Sequence, residues 1–185
     1  MTPRLLEKYR NEIITALMQK FGYKNRFQVP RLKKVVINMG LGLGAHDPKI
    51  IEEAQKDLAI ITGQKPIVTK AKKAISNFKI RKGSSVGCMV TLRGARMYEF
   101  LDRLINVAIP RVRDFKGLPA NSFDEHGNYT FGLLEQGIFP EIEPDKIFKT
   151  QGMDITINLT RTTKDVAYEL LKHIGMPLKE KGKQG

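Results

Sequence analysis

The residues with the clearest chemical potential are cations concentrated in one stretch, KAKKAISNFKIRKGSSVG, which runs from Lys70 to Gly87. Six of its 18 residues are Lys or Arg, and none is acidic. The acid-free region is wider still, because nine basic residues and no Asp or Glu lie between Leu58 and Tyr98. Cations without a neighbouring carboxylate are available to bind phosphate oxygens, so this region is a candidate polyanion-binding site. A solvated charged loop is the plainer alternative.

The residue types that carry catalysis and metal binding form no recognisable constellation. The three glycines after the first predicted strand have G-x-G-x-G spacing, which does not match the dinucleotide-binding pattern: Gly40, Gly42 and Gly44. None of the three histidines has a Cys or a second His at ligand spacing. We therefore predict a protein that is not an enzyme and has no metal or cofactor. A small nucleotide-binding enzyme built on the glycine loop is the competing class, and calorimetric titration with NAD or ATP would reveal it.

The elements that position these residues can be predicted from periodicity. Helical spacing of apolar residues predicts four helices, which end at Gly22, Gly63, Pro110 and Gly175. Alternation predicts strands in RLKKVVINMG, PIVT, SSVGCMVTLRG and MDITINLT, and a hairpin of two short strands in SFDEHGNYTF. This mixture predicts an α+β fold in which helices pack on one face of a largely antiparallel sheet, with protruding loops.

Small polar and basic residues fall on the strand faces opposite the predicted core. Asn38 lies on this side of one strand, and Thr91 and Arg93 lie on this side of another. Such a face is either ordinary solvated sheet or a surface open to a ligand. Cys88 alternates onto the apolar side, where a buried, inert thiol is expected.

Composition limits the class of protein and its partners. The 185 residues are expected to form a single domain over 1–185, with a basic loop at about 70–87 and an extended loop and hairpin segment at about 111–149. No apolar run is long enough for a bilayer span, and the N-terminus is too charged for a signal peptide. A lone cysteine fits a reducing compartment, so we expect a cytoplasmic protein without a membrane partner.

The net charge of +13 indicates a polyanionic partner. No helix-turn-helix, zinc finger, basic zipper or RNA-recognition motif is present. Aromatic residues make up only 8% of the chain, so base stacking cannot dominate. Cations that bind phosphates, combined with polar residues on the sheet, favour a protein that recognises the shape and minor groove of folded RNA. The charge reverses from Asp114 to Asp154, where eight acidic residues stand against three basic ones.

Long blocks of the sequence resemble one family. FGYKN, VPRLKKVVINMG, TGQKPIVTKAKKAISNFKIRKG, GCMVTLRGARMYEFLDRLINVAIPRVRDFKGL, SFDEHGNYTFGL and QGMDITI are similar, in order, to bacterial large-subunit ribosomal protein five, the family that binds 5S ribosomal RNA. The resemblance extends from about Tyr9 to Pro177. It implies attachment of 5S rRNA in the central protuberance, with 23S rRNA as a neighbour and no small-molecule substrate.

The resemblance also implies roles for particular residues. In the family, small polar residues that match Asn38, Gln64 and Thr91 contact 5S rRNA, and we add the nearby cations as candidates: Lys33, Lys70, Lys72, Lys73 and Arg93. The basic run matches a loop that approaches the peptidyl-site transfer RNA: Asn77, Phe78, Lys79, Arg81, Lys82 and Gly83. The segment from Arg111 matches the part that meets small-subunit protein thirteen in an intersubunit bridge. Its candidate contacts are Arg111, Arg113, Asp114, Glu141, Glu143 and Asp145.

Four positions depart from the family's usual residues: Ser85, Ala95, His126 and Gln151. The family usually has Pro in place of Ser85, so the base of the basic loop is expected to be less rigid here. None of the four coincides with Asn38, Gln64 or Thr91.

Overall fold

The structure is a computed structural model that describes residues 2–42 and 47–180. The first helical run begins after Pro3 and consists of α1 (Arg4–Lys8), a π-helical turn (Tyr9–Ile13) and α2 (Ile14–Phe21). The other helices are α3 (Pro48–Thr62), α4 (Gly94–Arg103), which continues as a π-helical turn (Leu104–Ala108), and α5 (Lys164–Ile174). Gly22, Gly63 and Gly175 take the left-handed conformation at helix ends, so these three predicted stops are confirmed.

Five strands form one sheet: β1 (Leu32–Gly40), β2 (Ile67–Lys70), β3 (Ser85–Leu92), β4 (Tyr129–Leu133) and β5 (Met153–Leu159). Their order is β2-β3-β1-β5-β4, and the sheet is antiparallel. The predicted α+β fold is therefore confirmed. Only the second arm of the predicted hairpin is a strand, because the first arm pairs with it at a single bridge between Phe123 and Tyr129.

The strands bury one face and leave the other partly open. In β1, Val35, Ile37 and Met39 are fully buried, whereas the residues between them are half-exposed. The same alternation holds in β4 and β5 and along β3 from Cys88 onward. An apolar strand face of this kind is stable only when other elements cover it, which is the reason for the amphipathic helices.

Contacts divide the chain into two compact units. The first contains the residues before 36, those from 92 to 131 and those after 155, and the second contains 36–91 and 132–155. Within the first unit, α1 packs against α4, and α2 packs against α5. Within the second, α3 packs against β2.

Candidate nucleic-acid interface

The polar residues Asn38 and Thr91 lie on the half-exposed face of the sheet. Asn38 stands between Ile37 and Met39, which are both fully buried, and Thr91 is flanked by two buried residues of β3. Buried neighbours on both sides fix the backbone on which each polar side chain stands. Their side chains therefore project from a rigid support, which is the geometry that a preorganised contact requires.

Gln64 is placed beside Thr91 by the end of α3. Gly63 ends the helix with φ +67°, and the Gln64 side-chain amide then donates a hydrogen bond to the Thr91 carbonyl oxygen at 3.2 Å. The Thr62 hydroxyl, which is buried, donates to the Leu58 carbonyl oxygen at 2.7 Å and steadies the same turn. The structure thus joins two of the three polar residues that were predicted, and both Gln64 and Thr91 are half-buried.

A close approach of three strands underlies this face. A Cβ atom on Gly87 would lie 2.5 Å from the Met39 carbonyl oxygen and 2.9 Å from the Thr69 hydroxyl oxygen. Only a residue without a side chain fits between β1 and β2 at this point. The spacing of the strands that carry Asn38 and Thr91 therefore depends on Gly87.

The basic run is a hairpin-like projection rather than an irregular loop. β2 pairs with β3 as far as Lys70 and Ser85, and the Ala71 amide then donates to the Ser84 carbonyl oxygen at 2.9 Å. Further out, Ile75 and Ile80 exchange two backbone hydrogen bonds of 2.9 and 3.1 Å. A 3-10 turn (Ser76–Phe78) forms the tip.

The cations of this projection point into solvent. The six residues concerned are all exposed: Lys70, Lys72, Lys73, Lys79, Arg81 and Lys82. None of them forms a salt bridge with a residue that the structure describes. Asn77 and Gly83 are also exposed, and the Phe78 ring at the tip is 67% exposed. The projection thus presents uncompensated charge together with one aromatic ring.

Two of the candidate cations belong to the first compact unit. Arg93 is exposed at the position that precedes α4. Lys33 is exposed near the start of β1, where it lines a groove of about 790 Å³.

The candidate residues for a protein contact divide between the two units. Arg111, Arg113 and Asp114 are exposed in the first unit, and Asp114 takes an unusual φ of 52°. In the second unit, Glu143 and Asp145 are exposed and Glu141 is half-buried. Glu143 forms a salt bridge of 2.8 Å with Lys146. The acidic segment therefore neutralises part of its own charge.

Sequence reasoning missed Gln136, which organises this acidic segment. Gln136 is 1% exposed. Its amide nitrogen donates to the Lys149 carbonyl oxygen at 2.7 Å and to the Asp57 carboxylate at 3.3 Å, and its carbonyl oxygen accepts from the Gln151 amide at 2.7 Å. Burial raises the pKa of Asp57, and the hydrogen bond from Gln136 partly opposes this shift. An isolated Gln in a loop gives no signal that it will be buried.

No metal-binding cluster is present in residues 2–42 and 47–180. Within these ranges, no three His, Cys, Asp or Glu side chains are grouped so that they could hold a metal ion, and no helix is long and apolar enough to cross a membrane. Cys88 is fully buried, as predicted, and burial raises the pKa of its thiol to about 11. Gly44, on which the alternative nucleotide site depends, lies outside the described residues.

Comparison with known proteins matches almost the whole chain to a single group. A family model described as ribosomal protein L5 matches residues 25–81, and one described as the ribosomal L5P family C-terminus matches residues 85–178. The large ribosomal subunit protein uL5 of Moorella thermoacetica is 61% identical over 177 residues, which cover 96% of this chain and 98% of the relative. The proteins of the same name from Clostridium tetani and Clostridium kluyveri are 58% and 57% identical.

These matches first define a class, the structural RNA-associated proteins of the large ribosomal subunit, which are cytoplasmic and are not enzymes. Within that class, the chain belongs to the ribosomal protein L5 family. The predicted family is confirmed, and the competing nucleotide-binding enzyme is disfavoured.

Proposed function

We propose that this chain binds 5S rRNA and helps to attach it in the central protuberance of the large subunit, with Asn38, Gln64 and Thr91 as contact residues. The observation that carries the proposal is the hydrogen bond of 3.2 Å from the Gln64 side-chain amide to the Thr91 carbonyl oxygen, which holds the Gln64 side chain against the strand that carries Thr91. Amide and hydroxyl groups match the base edges and 2′-hydroxyls that the minor groove of RNA presents.

Exposed cations supply affinity in this proposal. Lys70, Lys72 and Lys73 follow the sheet face in the second unit, while Lys33 and Arg93 are exposed in the first. Each can pair with a phosphate of 5S rRNA or of the neighbouring 23S rRNA, because none is neutralised by a salt bridge to a described residue. If about four phosphates are contacted, the slope of log K against log salt is about −3 to −4.

The hairpin-like projection serves a second RNA, the transfer RNA in the peptidyl site. Its backbone hydrogen bonds give it a defined shape, and its tip carries Phe78 among exposed cations. Contact with small-subunit protein thirteen is assigned to Arg111, Arg113 and Asp114 together with Glu141, Glu143 and Asp145. The acidic excess between Asp114 and Asp154 supports a basic protein partner there.

The polar-face assignment is tested by the affinity of the full chain for 5S rRNA. Asn38→Ala and Thr91→Ala each remove one neutral hydrogen-bonding group, so each is expected to weaken binding by about 3- to 10-fold. Neither lies on the buried strand face, so stability should change little. Asn11→Ala and Thr15→Ala, which alter exposed residues of the same types on the N-terminal helical run, are the matched controls. Unchanged affinity in both sheet variants would reject the assignment.

The projection is tested with Lys79→Gln, Arg81→Gln and Lys82→Gln combined. Affinity for free 5S rRNA should remain close to that of the parent, while transfer-RNA binding to ribosomes assembled with the variant should weaken. Lys116→Gln, Lys164→Gln and Lys172→Gln combined remove the same charge from exposed positions elsewhere. A large loss of 5S binding in the projection variant alone would instead place the projection on 5S rRNA.

A further inference from the structure

The groove that Lys33 lines is a second basic surface, and it lies wholly within the first compact unit. It has a volume of about 790 Å³. Five cations line it, from three separate parts of the chain: Arg10, Arg26, Arg31, Lys33 and Arg161. No Asp or Glu lines the groove, and none of the five cations forms a salt bridge with a described residue. The groove is therefore strongly attractive to an anion.

An aromatic ring stands at this groove with its surface uncovered. Phe27 is 82% exposed, so most of its side chain is open to a binding partner. The guanidinium carbon of Arg26 lies 5.3 Å from the centroid of the ring. A capping box holds the turn, because the Asn25 side chain accepts from the Phe27 amide at 2.9 Å and the Gln28 side chain accepts from the Asn25 amide. Phe27 is thus presented on a turn that is already ordered.

Hydrogen bonds also fix the walls of the groove. The Tyr9 hydroxyl donates to the Pro30 carbonyl oxygen at 3.0 Å, which ties the helical wall to the segment that carries Arg31. The Arg31 amide donates to the Thr160 hydroxyl at 3.0 Å, and the Thr160 amide donates back to the Arg31 carbonyl oxygen at 2.9 Å. This pair of bonds brings Arg31 beside Arg161.

The charge of the arginines reaches the interior of the groove. Burial raises the pKa of the Tyr98 hydroxyl, and the nearby guanidinium groups of Arg10 and Arg31 act in the opposite direction. The Arg31 charge also acts to lower the pKa of the Tyr9 hydroxyl, but burial outweighs it and raises that pKa to about 12.

We propose that this groove binds an unpaired segment of 5S rRNA, with phosphates along the arginines and one base stacked on Phe27. This inference rests on the proposed function, since it assumes that the chain binds 5S rRNA. A cationic groove beside an aromatic ring is the arrangement by which proteins hold single-stranded nucleic acid. The bases of a duplex are stacked on each other, so only an unpaired base can cover Phe27. The source is 5S rRNA because Lys33, one of its predicted contacts, lines the groove.

The aromatic contact is tested by measuring the affinity of full-length variants for intact 5S rRNA. Loss of one base–aromatic stack in Phe27→Ala is expected to weaken binding by about 5- to 100-fold. Phe27→Tyr keeps the ring and should bind like the parent. Phe148→Ala changes a different exposed phenylalanine, 58% exposed in the second unit, and should have no effect. Equal affinities for the Phe27→Ala variant and the parent would overturn the proposal, and so would an equal loss in Phe148→Ala.

The phosphate contacts are tested by salt dependence. Arg161→Gln should lower the magnitude of the slope of log K against log salt by about 0.7–0.9, because one phosphate contact is lost. Lys164→Gln removes an exposed charge three residues further on and should leave the slope unchanged. An unchanged slope in Arg161→Gln would contradict a phosphate contact in the groove.

The outcomes separate the two proposals. If the parent chain does not bind 5S rRNA, the proposed function itself fails. If the parent binds and Asn38→Ala and Thr91→Ala weaken binding, while Phe27→Ala and Arg161→Gln do not, then the function stands and the groove proposal is refuted. Short single-stranded RNA gives a further check. When saturating 5S rRNA already fills the groove, the affinity of the chain for this short RNA should be the same in the Phe27→Ala variant and in the parent.

Discussion

Replacement of Gly87 by Ala tests whether the spacing of the strands controls the polar face. The added Cβ would lie 2.5 Å from the Met39 carbonyl oxygen, whereas such contacts are essentially never shorter than 3.0 Å. The backbone of β1 or β3 must therefore move by at least the difference, 0.5 Å. The Thr69 hydroxyl at 2.9 Å can rotate away, but the Met39 carbonyl is part of the backbone of β1 and moves only with the strand.

The expected cost of Gly87→Ala is about 1–3 kcal/mol, the usual range for an overpacked interior site. With a urea m-value of about 2 kcal/mol per M, the unfolding midpoint falls by about 0.5–1.5 M. Affinity for 5S rRNA, measured where the variant is fully folded, should also fall, because Asn38 adjoins Met39 and Thr91 lies on the same strand as Gly87.

Gly40→Ala is the matched control for this substitution. Gly40 ends β1, and nothing lies within 4 Å of a Cβ built on it. Its replacement should change the free energy of unfolding by no more than about 0.5 kcal/mol. If the midpoints of the two alanine variants in urea, followed by circular dichroism, coincide, then the close approach at Gly87 does not limit the strand spacing and the reasoning is refuted. Recovery of the midpoint on adding Thr69→Ala would place the strain on the hydroxyl instead.

Two further predictions concern single residues. Cys88 should react with a disulfide reagent at pH 8 at least about 100-fold more slowly in the native protein than in urea, because burial raises the pKa of its thiol to about 11. As a control, the exposed thiol of a Ser76→Cys variant should react at once. Modification of Cys88 in the native protein as fast as that of the control thiol would contradict the buried position. Asp124→Ala should lower the melting temperature by about 2–4 °C at pH 7, because the carboxylate accepts hydrogen bonds from the backbone amides of His126 and Asn128 and from the Asn128 side chain. Partial burial raises the pKa of Asp124, but these bonds outweigh it and the pKa lies below its usual value. The advantage over Asp124→Ala is therefore present above about pH 4 and is lost as the pH falls through the folded-state pKa. Glu125→Ala is the control, and a difference that does not shrink as the pH is lowered from about 4 would contradict the role of the charge.

The elements that the sequence predicted well are those whose signals are local. Gly22, Gly63 and Gly175 each supply the left-handed residue that ends a helix, and Asp47 accepts a hydrogen bond from the Lys49 amide at the start of α3. Such signals depend on a few neighbouring residues, so they survive folding unchanged. The Asn38 and Thr91 positions followed from alternation in the same way.

The features that the sequence did not predict depend on distant partners. The first arm of SFDEHGNYTF has the composition of a strand, but only Phe123 pairs with the second arm, at Tyr129. The Asp124 carboxylate instead accepts hydrogen bonds from the backbone amides of His126 and Asn128 in the turn. Gln136 is buried because Asp57 and Lys149 approach it from other parts of the chain. The basic run was predicted as a protruding loop, but the two backbone hydrogen bonds between Ile75 and Ile80 within it were not predicted.

The sequence by itself determined the class of partner, because the number and segregation of charges do not depend on the fold, and it determined the elements whose caps and periodicity are local. Only the tertiary structure decided which cations act together. Arg31 and Arg161 are separated by 130 positions in the chain. They both line one groove because the Arg31 backbone exchanges hydrogen bonds with the hydroxyl and the backbone amide of Thr160. The sequence around either arginine does not predict this pairing, because the pairing is set by the packing of whole elements rather than by neighbouring residues.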